Sequence, residues 1–228
     1  MNVKSNFQED SPKALLAETE SICATTPPPF GCARLLPLHM NSFEHLACSS
    51  SAWRYFSERH LLPWVFAGQQ LGEHALEIGA GYGAGTQFLR RRVERVTALE
   101  YDVRLTMAWK AKGQSEGVEI VCGDGAQLPF GDERFSSVTA ILVLHHLKSA
   151  ELQKRMLSEV MRVLRRDGVF VGFEIGDSWL NRIGHIGSTF TPFTSSIAQE
   201  SLSAAGFANT CIKARFGAYR FTSMKSTR

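Results

Sequence analysis

Three short runs hold the residue types best suited to chemistry. The first is LEIGAGYGAGT at 76–86, where an apolar strand-like run carrying Glu77 opens into glycines at 79, 81 and 83. Glycine lets a main chain turn tightly and approach a ligand where any Cβ would collide. Gly79, Gly81 and Ala84 also fit the G-x-G-x-x-A spacing of dinucleotide loops, so a phosphate, a dinucleotide and a phosphate-free nucleoside all remain candidates. The second is VTALEYD at 96–102, which puts Glu100 21 positions beyond Gly79, where a strand-end carboxylate can accept both hydroxyl protons of a ribose. Tyr101 beside it could lay its ring on an adenine. The third is VCGDGAQLPF at 121–130, a polar break in which Asp124 could accept from an adenine amino group. A fourth run, LHHL at 144–147, offers His145 and His146 as proton acceptors near neutral pH. His146 is preferred, because Leu144 and His145 continue the alternation of the strand before them.

Such groups must be held at one edge of a sheet, and the pattern supplies one. Apolar runs near 74–78, 96–101, 118–122, 137–144 and 169–175 alternate with helical stretches near 84–92, 103–112 and 149–165. Strands separated by helices predict right-handed crossovers and a mostly parallel sheet covered on both faces. In the last of those helices Ser149 can cap, Glu151 suits the first turn, and Leu152, Met156, Val160 and Val163 recur at helical spacing. Asp167 and Gly168 then supply a turn into the next strand. A further helix near 197–207 and two strand-like runs broken at Gly217 predict a hairpin that adds an antiparallel strand. The expected fold is therefore an α/β, doubly wound, Rossmann-like sheet. Three regions are expected: an irregular arm over 1–37 containing TTPPPFG, a helical cap over 38–70, and the sheet domain over 71–228.

LEIGAGYGAG, Glu100, GDGAQLPF, FSSVTAILVLHHL and RVLRRDGVFV, in that order, resemble a class I methyltransferase that uses S-adenosylmethionine, in the branch acting on small-molecule and quinone-type acceptors. The resemblance covers roughly residues 70–225 and implies a seven-stranded sheet with an antiparallel C-terminal strand. It implies that Glu77, Gly79, Ala80, Gly81, Gly83, Glu100, Tyr101, Gly123, Asp124, Gly125, Ile141 and Leu142 surround the donor. Glu77 would fix the loop and reach toward the ammonium of the methionine part. Two positions depart from the family: Ser136 stands where an aspartate is usual, and Arg166-Asp167-Gly168 where Pro-Gly-Gly is usual. The acceptor is expected to be small and partly hydrophobic. It would be recognised by segment 39–62, through Trp53 and Tyr55, and by the insertion 176–193, through Asp177, Trp179 and His185. An NAD-dependent oxidoreductase shares the glycine loop and Glu100, but has no use for GDGAQLPF or the hairpin. A repurposed member of the same fold that binds the donor without methylating is the other alternative.

Composition narrows the setting. A formal charge of +3 on 228 residues does not call for nucleic acid, and RRRVER at 90–95 reads as a solvated helix end. Five cysteines without a C-x-x-C pair predict reduced thiols and no metal site. No run is long and apolar enough to span a bilayer, and no secretory signal is evident. A cytoplasmic protein, monomeric or a homodimer, is the expectation.

Overall fold

The structure is a computed structural model and describes residues 41–111 and 117–226. The expected arm over 1–37 lies outside the described residues. Seven strands form one sheet in the order β3-β2-β1-β4-β5-β7-β6. They are β1 (His74–Ile78), β2 (Arg95–Glu100), β3 (Val118–Cys122), β4 (Phe135–Ile141), β5 (Leu164–Ile175), β6 (Phe207–Arg215) and β7 (Ala218–Lys225). Pairings from β3 through β5 are parallel, whereas β7 runs antiparallel to both β5 and β6. The expected Rossmann-like sheet with an antiparallel C-terminal hairpin is the observed one. Its hairpin turns on Phe216 (φ 50°) and Gly217 (φ 75°), two left-handed residues whose twist matches that of the strands.

Helices follow the alternation. Ahead of the sheet, α1 spans Ser42–Ser49, and one unbroken helical stretch contains α2 (Ser51–Phe56), a π-helical turn (Ser57–Leu61) and α3 (Leu62–Val65). Along the sheet lie α4 (Ala84–Arg90), α5 (Val103–Ala111), α6 (Ala150–Val163), α7 (Trp179–Gly184) and α8 (Ser195–Ala204). Ser149 caps α6, accepting from the Leu152 amide at 3.3 Å, and Met156, Val160 and Val163 are fully buried.

The period of two in the strands divides the core between the two faces. Leu76, Ile78, Val138, Ala140 and Phe170 pack with α6 and α8 on one side. Ala75, Val96, Ala98, Val171 and Phe173 pack with α3 and α4 on the other. Gly172 pairs with Phe221 across the antiparallel junction, where an added Cβ would stand 2.0 Å from the Phe221 ring. A glycine in mid-strand is thus what lets the bulky ring lie over β5.

Three local expectations need correction. First, β4 stops at Ile141, because Leu142 takes φ 58° and residues 144–146 form a 3-10 turn, so the alternation does not reach His145. Second, Arg166-Asp167-Gly168 is an irregularity inside β5, with Asp167 at φ 59°, which absorbs a register shift against β4. Third, Cys122 is disulfide-bonded, against the expectation of reduced thiols; Cys48 and Cys211 are free. The Ser136 departure has a structural reason. Its hydroxyl accepts from the His74 amide at 2.9 Å and lies against the Leu71 carbonyl at 2.8 Å, while a Cβ on Gly72 would meet it at 2.6 Å.

Arg220 of β7 fastens the leading helices to the sheet. Its buried guanidinium donates to the carbonyls of Trp64, Val65 and Ala67 at the end of α3. Arg220→Met should cost about 2–3 kcal/mol, since these carbonyls would lose charge-assisted bonds while staying buried. Urea denaturation followed by circular dichroism checks this, and an unchanged midpoint would refute it.

Candidate functional site

The carboxyl ends of β1, β2, β3, β4 and β5 meet at one edge, the place where open parallel sheets bind ligands. The glycine loop is tied down there from both sides. The amides of Gly79 and Ala80 donate to the Leu99 carbonyl at 2.9 and 3.2 Å, and the Gly81 amide donates to Glu100 Oε2 at 2.7 Å. Glu100 Oε1 accepts from the Asp102 amide at 2.8 Å. The carboxylate is buried, which raises its pKa, while those backbone donors favour the charged form. Each oxygen keeps a lone pair for a further donor.

The three glycines serve different purposes. A Cβ at Gly79 would meet Val143 at 2.6 Å, and one at Gly83 would stand 1.9 Å from the Trp109 ring. Trp109 also donates its indole N–H to the Gly81 carbonyl at 3.2 Å. Only at Gly81, φ 52°, does the space beyond the missing Cβ stand open, with no heavy atom within 4 Å. The loop therefore uses two glycines to fit its own protein and one to face outward. Trp109 escaped the sequence reading because MAWK on a helix reads as ordinary core.

Glu77 points to the α4 side of β1. Thr86 donates to its carboxyl group, and Gly85 leaves room for it, since a Cβ there would lie 2.0 Å from Oε1. Burial pushes its pKa up to about 8, with Thr86 pulling the other way. Asp124 folds back on its own turn, Oδ1 accepting from the Ala126 amide at 2.8 Å. Tyr101 is half-buried and its pKa is raised by burial and by the negative charge of Asp124, so the two share one pocket wall. Gly123 ties this wall to β2 by donating to the Glu100 carbonyl at 3.0 Å. A Cβ on Gly125 would touch Ile78 at 3.0 Å.

Glu174 shapes the opposite wall. Fully buried at the end of β5, it takes the amides of Val143 and Leu144 on Oε1 at 2.9 and 2.7 Å, and His145 Nδ1 on Oε2 at 2.5 Å. These bonds bend the chain after Ile141 and Leu142 and bury His145. His146 is half-buried, and its Nδ1 meets the Thr189 carbonyl at 3.3 Å. Burial, then the neighbouring His145 and His185 rings, push its pKa down to about 3. His185 joins them: its ring lies 5.1 Å from that of His145 and 5.5 Å from that of His146. Of the other acceptor candidates, Trp53 packs half-buried against the core, and Asp177 is paired with Arg182 at 2.7 Å. Tyr55 and Trp179 are exposed.

Helix α1 closes over this edge. Asn41 caps it and donates to the carbonyls of Gly184 and Ile186 at 2.8 and 3.2 Å, while His45 meets the Tyr82 hydroxyl of the glycine loop at 2.9 Å. Leu46, Tyr55, Phe56, Trp179, Ile183 and Ile186, on or beside α1, α2 and α7, are exposed apolar side chains. Arg90, Arg91 and Arg92 are solvated, with Arg91 paired to Glu58 and Arg92 over the Phe88 ring. Among the described residues, no helix is long and apolar enough to cross a membrane.

The Glu77 carboxyl gives a signed pH prediction. With a folded pKa of about 8 against ~4.3 unfolded, the native state holds a proton that the unfolded chain releases. Stability of the ligand-free chain should fall as pH rises from ~4.3 to ~8, then level. Glu77→Gln should remove that decline, so its advantage in melting temperature widens from pH ~5 to ~8; a constant gap would refute the shift.

Comparison with known proteins agrees with this geometry. A family model described as a methyltransferase domain matches residues 76–172. The chain is 33% identical over 101 residues to a phthiotriol/phenolphthiotriol dimycocerosates methyltransferase of Mycobacterium tuberculosis, covering 43% of this chain and 36% of that one. It is 33% identical over 105 residues to a fatty-acid O-methyltransferase of Mycolicibacterium smegmatis, covering 44% and 36%. The match thus spans about a third of the length of these relatives. The structure of the [4+2]-cyclase SpnF superposes with a TM-score of 0.60 at 19% identity, covering 93% of each chain.

Proposed function

We propose that this chain, whose residues 76–172 match a family model described as a methyltransferase domain, transfers a methyl group from S-adenosylmethionine to an apolar small molecule. The observation that carries the reading is the buried Glu100 carboxylate pinned to the amide of Gly81, the one loop glycine whose missing Cβ leaves open space. That arrangement fits a ribose with two free hydroxyls resting on Glu100, with Tyr101 and Asp124 receiving the adenine. Gly79, Ala80 and Gly83 shape the loop, Gly123 and Gly125 the adenine wall, and Ile141 and Leu142 the approach to the methyl. Glu77 lies behind the loop and holds α4 through Thr86.

S-adenosylmethionine supplies a methyl already activated by its sulfonium. The chain then has to hold the acceptor in line and keep water away, and such orientation is worth up to ~7–11 kcal/mol. His145 is locked to Glu174, and His146, at a pKa of about 3, is a weak base. We therefore assign the two histidines to placing the acceptor and assign no proton abstraction to them. An acceptor that arrives ionised, such as the carboxylate of a fatty acid, suits this site better than an alcohol. The exposed apolar side chains of α1, α2 and α7 suit a hydrocarbon tail, with Trp53, Tyr55 and Trp179 on its approach. Asp177 and His185 would hold the insertion in shape, through Arg182 and Glu44 respectively. The likeness to the fatty-acid O-methyltransferase supports this class of acceptor.

Calorimetry with S-adenosylhomocysteine should show binding, with Glu100→Ala weakening it roughly 10–100-fold. Labelled methyl should pass to a long-chain fatty acid at a rate that stays flat as pH rises through the histidine range. Binding of NAD alone would overturn the donor assignment. Donor binding with no transfer to fatty acids, alcohols or amines would instead mark a non-methylating member of the fold.

A further inference from the structure

We infer that His145, His146 and His185 form a binding site for a divalent transition metal of the zinc type, with Glu44 as the carboxylate beside it. One ring nitrogen of each histidine lies within 4.8 Å of those of the other two. The second shell is already in place. Glu174 accepts from His145 Nδ1 at 2.5 Å, the Thr189 carbonyl lies 3.3 Å from His146 Nδ1, and the Asn181 carbonyl lies 2.6 Å from His185 Nδ1. A carbonyl can only accept, so the Nδ1 atoms of His146 and His185 carry protons. Glu174 imposes the same tautomer on His145. Each ring is then left with a bare Nε2 lone pair, and a carboxylate or carbonyl behind each ring is the arrangement that orients histidine ligands and raises their basicity.

Glu44 brings a carboxylate to the cluster. Its Oε1 lies 3.2 Å from His185 Nε2, while His185 Nδ1 meets the Asn181 carbonyl at 2.6 Å. A cation at Nε2, a proton or a metal ion, satisfies both groups, so a metal would replace the proton without moving Glu44. Glu44 is itself fixed, Oε1 accepting from Ser188 at 2.8 Å and Oε2 from the Asn41 amide at 2.7 Å. Three imidazoles and one carboxylate make a ligand set suited to zinc or cobalt and poorly suited to magnesium or calcium. Metal–nitrogen bonds of ~2.0–2.1 Å would bring the three nitrogens to about 3.3–3.5 Å, so the rings must close by small rotations. The ion would join the turn after β4, the insertion after β5 and α1, three segments of the acceptor wall. No local motif marks such a site, since successive ligands lie 101, 1 and 39 residues apart along the chain.

The inference does not depend on the methyl donor, and its test reads metal directly. Tag-free protein, stripped with chelator, is titrated with Co2+ and followed by visible absorption and by metal analysis after dialysis. One Co2+ per chain with tetrahedral d–d bands is expected, displaced by Zn2+, together with a metal-dependent rise in melting temperature. His185→Gln and, separately, Glu44→Gln should weaken cobalt binding and shrink that rise, while His60→Gln, at an exposed residue outside the cluster, should leave both unchanged. Circular dichroism confirms that each variant is folded. Binding that survives in His185→Gln, a thiolate charge-transfer band that moves the ion to Cys48, or no retained metal in the folded parent would each overturn it.

Discussion

A single buried carboxylate determines how the working edge of this protein is built. Glu174 sits among apolar neighbours, where an uncompensated charge would cost several kcal/mol. It is compensated by two backbone amides and an imidazole, all from the turn that follows β4. To deliver those donors the chain must leave the sheet early, pass through a left-handed Leu142 and coil tightly. The place of His145 and His146, the Val143 side chain against Gly79 and the course of the turn after β4 all follow from that one requirement.

The glycine loop answers to a second constraint, the crowding of a stretch almost without side chains. Val143 fills the space over Gly79 and Trp109 that over Gly83, so two of the missing Cβ atoms are replaced by neighbours from elsewhere in the chain. What remains open is a narrow frontage at Gly81 beside Glu100. The loop is thus a gap between protein side chains, and its width is fixed by a valine and a tryptophan as much as by its glycines. Arg162 braces the next wall in a similar way: it bonds Asp132 and the carbonyls of Leu128 and Phe130, while Glu159 accepts from the Leu128 amide.

Periodicity made the scaffold readable. His74–Ile78 is buried along its whole length in mid-sheet, whereas Val118–Cys122, at the sheet's edge, shows its strand by the alternation of buried Val118 and Ile120 with exposed Glu119. Helix α6 is written in its cap and its apolar spacing. Glu100 was legible as the carboxylate that meets the glycine loop, from its distance to the glycines along the chain. The histidine grouping was not: His185 could be singled out as an oddly polar residue in an insertion, but nothing local says that it meets His145 and His146. Glu174 had a signal that could have been used, since a glutamate within VFVGFEI must find partners once that strand is buried. The early end of β4 left no trace at all, because a left-handed leucine is imposed by tertiary hydrogen bonds and not by its own preference.

The hold of Arg220 on the end of α3 bears on how the molecule is made. β7 is the last strand along the chain, yet it lies between β5 and β6 and supplies the cation that satisfies one of the first helices. A ribosome releases the helix well before the hairpin, so the leading helix has to wait without its Arg220 partner until the hairpin emerges. Closure of the sheet and seating of that helix should therefore be a single late event of biosynthesis, and a nascent chain stalled before the hairpin should lack both.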